Sequence, residues 1–459
     1  MNARVLGCAI GLALMMDIQQ AHADSDGTVT FIVNPVDESA ALKLRTQALW
    51  HGGGAAPGVR FARTLATGHL LFEATPPGND VLSTLARSLQ EHPWVADVQL
   101  NRVMTASVQG SVARELPKAE PPPDGLLWNH ADKPGGAKVV SAWPLSRGKG
   151  VVVAVVDSGI TDHPDFVGRV LPGYDFITDP SRARDGDGRD DDATDEGQLQ
   201  CSSQGFWHGT RVAGVIAASG KHGGNPIGVA PESLILPVRV LDANGGGTAV
   251  DIGEAIIWAA GGHVDGIPDN PTPAQVINLS LTASWPCDSF SAAAIKIATG
   301  LGATVTATAG DTFGSGEDAS MITPASCPGV LAVAATLQSG KRTRFSNFGP
   351  VVRLAAPGGD VFPGDVGAIW TTTNTGCTGP EEPAHGWFEG TDAAAPHVAG
   401  TAALVRAANP GLGPRDVRHL IIETTSQLDP GSCPEGCGSG LLDAASAVGS
   451  AIDLKEGTK

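Results

Sequence analysis

Three short stretches of this chain carry residues whose types and spacing could do chemistry. Val155-Val156-Asp157-Ser158-Gly159-Ile160 sets a carboxylate, Asp157, at the end of a β-branched apolar run. His208-Gly209-Thr210-Arg211-Val212-Ala213-Gly214 sets an imidazole at a helix start. Gly390-Thr391-Asp392-Ala393-Ala394-Ala395-Pro396-His397-Val398-Ala399-Gly400 is a tight turn running into a small-residue helix. Pro396 falls within the first turns, where a missing amide N–H costs least. Such a turn can hold the side chain of its third residue, Asp392, at a helix N-terminus inside a site. Carboxylates placed around an imidazole pair with its charge and shift its protonation. Each stretch alone is a weak signal, because Asp-Ser-Gly or His-Gly-Thr occurs often by chance.

The elements that must position these groups read as alternating strands and helices from about Leu126. Val151 to Val156 has the continuous apolar pattern of a strand buried on both faces of a parallel sheet. Further strands are expected at Leu234–Val240, Val276–Ser280, Thr304–Ala309 and Leu331–Ala335. Helices are expected at His208–Ala218, Val250–Ala260, Ser291–Gly300, Asp392–Ala408 and Pro414–Thr424, the last opened by Gly413-Pro414. This is a doubly wound α/β pattern with helices on both faces of the sheet. Ligands on such sheets bind beyond the carboxyl ends of the strands, where Asp157 and Ser280 fall. Upstream, about Asp24 to Met104 reads as a small α/β module. Thr28 to Val33 alternates as a strand. Val81, Leu82, Leu85 and Leu89 share one helical face, and Pro93 to Val98 follows as a second strand. Residues 105–125, with Pro117 and Pro121-Pro122-Pro123, read as an exposed linker.

Together the motifs resemble the subtilisin-like (S8) serine proteases. The third motif of that family reads Gly-Thr-Ser-x-Ala-x-Pro-His, and the family order is Asp, His, Ser. Here the order is Asp157, His208, then Asp392 in the Ser place. The resemblance covers nearly the whole exported chain and implies a subtilisin-like domain over 126–450 behind a propeptide-like module over 24–104. It also implies an edge strand at Leu241–Thr248, through Gly245, Gly246 and Gly247, that pairs with a bound peptide. Asn278-Leu279-Ser280-Leu281 is similar to the strand lining the pocket for the substrate side chain, with Ser280 and Leu281 in binding positions. Both strands would take an extended peptide by main-chain hydrogen bonds, whatever the nucleophile.

Two positions depart from the family pattern. Where relatives carry an oxyanion-binding Asn, this chain has Asp311 after Ala309-Gly310. An ionised Asp only accepts hydrogen bonds and repels an oxyanion, whereas a protonated one could still donate. At the nucleophile position a carboxylate has no proton to surrender. Asp392 should pair with His208, which, flanked by Asp157 and Asp392, should stay imidazolium and cannot be a general base. In this family, losing the Ser costs about 2 × 10⁶ in kcat, and losing the oxyanion donor costs about 10² to 10³. The expectation is a pseudoprotease, or an impaired one, that still binds peptides. The alternative is a working endopeptidase in which His208 activates water. More remote is an Asp-nucleophile hydrolase, since attack of Asp392 on an amide would give an uphill anhydride. Asp157, His208, Asp311 and Asp392 could also gather a cation.

Composition bounds the rest. The chain has 459 residues, 42% apolar, with net charge −18, which argues against nucleic acid or an anionic membrane as partner. Residues 1–23 read as a secretory leader: Arg4, an apolar Val5–Met16, and Ala21-His22-Ala23 as cleavage site. The expected product is a secreted soluble monomer, with residues 451–459 as a tail and no further domain. Removing Cys8 with the leader leaves six cysteines, an even number suited to disulfides in an exported protein. Cys433 and Cys437 are near enough to pair locally. The family resemblance implies Cys287–Cys327, which leaves Cys201–Cys377, although six cysteines allow fifteen connectivities. An acidic loop carries Asp185, Asp187, Asp190, Asp191 and Asp192. Its Asp-Gly spacing suits oxygen ligation of structural Ca²⁺ or a solvated loop. No catalytic cofactor is implied.

Overall fold

The structure is a computed structural model. It describes residues 28–46, 59–75, 79–106, 127–199, 207–220, 227–312, 314–360 and 367–457. The leader, Cys201 and residues 107–125 of the linker lie outside these.

The N-terminal module contains β1 (Val29–Pro35), α1 (Glu38–Thr46), β2 (Arg60–Thr64), β3 (Leu70–Ala74), α2 (Asn79–Gln90) and β4 (Val95–Leu100). Its sheet has the order β2-β3-β1-β4. Leu82, Leu85 and Leu89 of α2 are buried against Phe31, Val33 and Phe72 of the sheet. Their i, i+3, i+7 spacing puts all three on one face. A short strand, β5 (Val103–Thr105), then leaves the module.

The larger part alternates strands and helices. In chain order these are β6 (Val152–Asp157), β7 (Tyr174–Asp175), α3 (His208–Ala217), β8 (Leu234–Arg239), β9 (Gly246–Thr248) and α4 (Ala249–Ala259). Next come β10 (Val276–Leu279), α5 (Ser289–Gly300), β11 (Thr304–Thr308), β12 (Leu331–Thr336) and β13 (Leu354–Pro357). The hairpin β14 (Ile369–Asn374) and β15 (Pro383–Phe388) precedes α6 (Thr391–Ala408), α7 (Pro414–Glu423) and α8 (Ala444–Gly457). The seven-stranded sheet has the order β13-β12-β11-β10-β6-β8-β7, and its neighbouring strands pair parallel.

All six residues of β6 are buried, because layers cover both faces. Val153 and Val155 join the core with α3, α6 and α8. Val152, Ala154 and Val156 face the other core, with α4 and α5. Each such Val contributes about 1.5–3 kcal/mol of burial, so an alternating polar pattern here would leave one layer unpaid for. The carboxyl end of this central strand is Asp157.

Two differences from the sequence reading stand out. The tail expected at 451–459 is helical to Gly457. Ala444, Ala447, Val448 and Ala451 pack that helix into the core, so the boundary at 450 cuts an ordered element. The β14–β15 hairpin, not anticipated from the sequence, pairs antiparallel from Ile369↔Phe388 to Asn374↔Pro383. Cys287 is joined to Cys327 and Cys433 to Cys437, with S–S 2.00 and 2.08 Å. Among the described residues no helix is long and apolar enough to cross a membrane.

Candidate active site

Asp157 is anchored before it meets any partner. Its Oδ1 accepts the Ser158 N–H at 2.7 Å. The following turn must let α3 approach closely: a Cβ on Gly209 would sit 2.1 Å from the Gly159 carbonyl oxygen. The Gly after the His is therefore a packing requirement. Ser158 Oγ accepts the Gly209 N–H at 3.0 Å and donates to Asp195 Oδ2 at 2.6 Å. Trp207, just before α3, has a left-handed φ of 60°, a strained conformation for a bulky residue that costs on the order of 1–3 kcal/mol. Its burial and its indole N–H bond to the Gly376 carbonyl, 2.8 Å, hold it there. His208 is thereby fixed as the first residue of the helix.

His208 Nδ1–H donates to Asp157, 2.8 and 3.0 Å from its two oxygens. On the other side, Asp392 Oδ2 lies 3.3 Å from His208 Nε2. That contact is an ion pair, not an aligned hydrogen bond. Asp157, His208 and Asp392 are buried, and the ring of Phe388 stands edge-on to the imidazole at 5.3 Å. Burial opposes a charged imidazole, but Asp157 and Asp392 outweigh it and push His208 up to about 10. The group between the two carboxylates is an imidazolium at neutral pH.

Asp392 is the second residue of α6, near the positive end of the helix dipole, which suits a carboxylate. Its main-chain oxygen accepts from Ser280 Oγ at 3.0 Å. Asn278 Nδ2 donates to Ser280 Oγ at 2.9 Å, and Thr306 Oγ1 donates to Asn278 Oδ1 at 3.1 Å. Ser280 is therefore turned inward, where it pins α6 to β10. Leu281 is also fully buried.

Asp311 lies across the turn. Its carboxylate accepts the Thr391 N–H, 3.0 Å to the nearer oxygen. Gly390 allows this, with φ 107° and no room for a side chain: a Cβ would meet Asp311 Oδ2 at 2.5 Å. Burial first, then the nearby Asp392, raises Asp311 well above the usual carboxylate range. The protonated form, which can donate, is thus favoured.

The segments expected to bind peptide hold a segment of this same chain. Strand β5 pairs antiparallel with β9, Val103↔Thr248, Met104↔Gly247 and Thr105↔Gly246. Ala106 N–H donates to the Gly245 oxygen at 3.2 Å. On its other edge, Thr105 exchanges two bonds with Thr282, 2.8 and 2.7 Å. Residues 103–106 thus run between β9 and Thr282, which directly follows the second segment, 278–281, read as the peptide site. The module behind them is fastened to α4 and α5. Arg63 makes a bidentate bond to the fully buried Glu254, 2.6 and 2.8 Å. Ser289 Oγ donates to Asp97 at 2.9 Å.

The acidic loop is not assembled around an ion. Asp185 is bound by the buried Arg239, which also pairs with Asp175 at 2.9 Å. Asp192 Oδ1 accepts from Thr194 N–H and Oγ1 at 3.0 and 2.5 Å. Asp187, Asp191 and Asp192 are exposed, and Asp190 is half-buried. No three of these carboxylates come within 4.8 Å of one another among the described residues. Arg239 offsets Asp185 and Asp175 alone, and the loop's carboxylates do not converge on one point among the described residues. Sequence reasoning also missed Phe388, Trp207 and Asn278 as supports of the site. Asn278 could have been found, since it shares a strand face with Ser280 by the two-residue period.

Comparison with known proteins bears on this geometry. The subtilase family model, Peptidase_S8, matches residues 148–440. The chain is 36% identical over 442 residues to the extracellular protease of Xanthomonas campestris pv. campestris, covering 93% of this chain and 72% of that protein. It is also 36% identical over 485 residues to the extracellular basic protease of Dichelobacter nodosus, covering 98% and 76%. Among solved structures, a protease from Pseudoalteromonas arctica superposes with a TM-score of 0.66 at 40% identity, covering 71% of this chain and 96% of that one. Fervidolysin from Fervidobacterium pennivorans gives 0.65 at 21% identity, over 94% and 63%, a likeness of fold alone.

Proposed function

The chain belongs to the subtilase (peptidase S8) family, and on that premise we propose that it is an exported peptide-binding subtilase without the serine mechanism. In this reading Asp157, His208 and Asp392 occupy the catalytic positions and Asp311 the oxyanion position. Residues 1–23 act as export leader and 24–104 as an attached propeptide-like module. Residues 105–125, whose first two complete the strand at 103–106, serve as its linker to the peptidase-like domain, which runs from 126 through the last helix to Gly457. The partner is a polypeptide, bound as an extended strand, and the protein acts as a monomer.

The observation that carries the reading is Asp392 Oδ2 at 3.3 Å from His208 Nε2. A serine hydroxyl there would give its proton to a neutral imidazole and attack. A carboxylate instead keeps the imidazole protonated, so neither the nucleophile nor the base is available. The test is labelling with a fluorophosphonate. The unmodified chain should not label, whereas D392S combined with D311N should. Labelling of the unmodified chain would overturn the reading.

A second reading, a working endopeptidase, is favoured by the 36% identity over 93% of the chain to a protein named as a protease. It requires a neutral His208 that activates water. Its signature is cleavage that rises as pH approaches about 10, the value to which His208 is pushed, and that vanishes in H208A.

A further inference from the structure

We propose that His163, Asp165 and His385 form a binding site for a divalent transition-metal ion of the Zn²⁺ class, which clamps the β14–β15 hairpin to the turn after Asp157. His163 and Asp165 flank Pro164 in a short 3-10 turn at 164–166, and His385 lies within β15. One ligand atom from each lies within 4.8 Å of the other two. Asp165 Oδ2 is 2.9 Å from His385 Nε2 and 3.9 Å from His163 Nδ1. The two rings stand nearly perpendicular, 80°, with centroids 5.0 Å apart. Around a tetrahedral ion with bonds of about 2.0–2.1 Å, ligand atoms sit about 3.3 Å apart. The Asp165–His385 pair is already near that spacing, and His163 must close by about half an ångström.

The atoms that face away from this point are held in the manner of a metal site's outer shell. His163 Nε2–H donates to the Ala384 carbonyl at 3.0 Å, which fixes the tautomer and leaves the Nδ1 lone pair inward. That lone pair now accepts the Asp165 N–H at 3.2 Å, a bond that must break when an ion takes the lone pair. Ser219 Oγ donates to Asp165 Oδ1 at 2.7 Å and leaves Oδ2 for the ion. Asp165 is fully buried and His163 nearly so, while the His385 side chain is 14% exposed and gives access for a water ligand. Two imidazoles and one carboxylate suit Zn²⁺ and its neighbours in the transition series. They do not suit Ca²⁺, which takes oxygen ligands. On binding, the ion takes the Nε2 lone pair of neutral His385, whose proton then sits on Nδ1, and the hydrogen bond from Nε2 to Asp165 is given up.

The probe is Zn²⁺ alone, titrated into the purified full chain after chelator treatment. One saturable site and a raised thermal midpoint are expected, and Co²⁺ in its place should give the visible bands of an imidazole-ligated site. H385Q, at the most accessible ligand, should bind at least about 100-fold more weakly with an unchanged midpoint in the absence of metal. H263N is the control, because His263 with Asp265 and Asp269 is an exposed competitor; it should bind as the unmodified chain does. Should H385Q fail to fold, S219A decides, with about tenfold weaker binding expected. The proposal is overturned if no saturable binding occurs, if H385Q binds as tightly as the unmodified chain, if H263N abolishes binding, or if S219A leaves it unchanged.

Discussion

An imidazole held between two carboxylates keeps its second proton because each neighbour stabilises the cation in surroundings that screen poorly. For His208 the consequence can be measured by NMR. Its titration should centre near 10, the value to which it is pushed, and should fall toward the ordinary range in D392N. The stability linkage has a definite sign. A folded-state value raised from 6.5 to about 10 means that the stabilisation is complete below about pH 6.5 and fades as pH rises through about 10. The thermal midpoint of the unmodified chain should therefore drop more across that window than that of D392N; equal slopes would refute the pairing. Asp311 behaves in the opposite sense, since its burial favours the neutral acid. D311N should fold without penalty. In a D392S background it should add about 10² to 10³ in rate, the usual worth of an oxyanion donor.

Strand β5 owes its place to backbone bonds that no side chain supplies. T105P removes the N–H that bonds to Thr282 at 2.8 Å and should free the partner amide. Hydrogen exchange at Thr282 N–H should then accelerate; unchanged protection would mean that the strand is held by its side chains. The Cys287–Cys327 link closes a separation of 40 residues. Its double Ser variant should lose about 3–4 kcal/mol of stability, and peptide mapping without reductant should recover both this pair and Cys433–Cys437. Much of this scale was legible in the sequence. The Val151–Val156 run could only be a strand covered on both faces, which placed Asp157 at a carboxyl end. The edge strand through the glycines at 245–247 was implied by the family resemblance, since the glycines alone read equally as a loop. The β14–β15 hairpin was illegible because His385 and Gly386 interrupt any apolar alternation in β15, and its partner β14 is rich in Thr. Ser280 was read as pocket lining, yet its hydroxyl serves a carbonyl 112 residues away. Local patterns do not report such a bond. Asp185 was read as a cation ligand because the charge of Arg239, 54 residues on, is invisible to loop spacing.

At the scale of the whole molecule, the N-terminal module, the sheet and the cleft are joined through Arg63, Glu254, Asp97 and the strand at 103–106. On the proposed reading, a chain without a serine mechanism cannot cut itself free. When produced without other proteases, the protein should run as one polypeptide with its module attached, and the double variant D392S/D311N should separate it. Self-cleavage of the unmodified chain that H208A stops would overturn this. The covalent tether of β5 also sets how the cleft meets the outside world. A segment covalently tethered to its own cleft competes at an effective concentration of the order of millimolar. A free peptide of intrinsic affinity about 1 μM, opposed by a tethered strand of equal quality, would need about a thousandfold more to half-fill the groove. Cutting the connection anywhere in 107–125 would change no contact described above. It would turn a permanent rival into a dilutable one, so that, on the proposed reading, the cleft gains sensitivity only where a second protease is already at work.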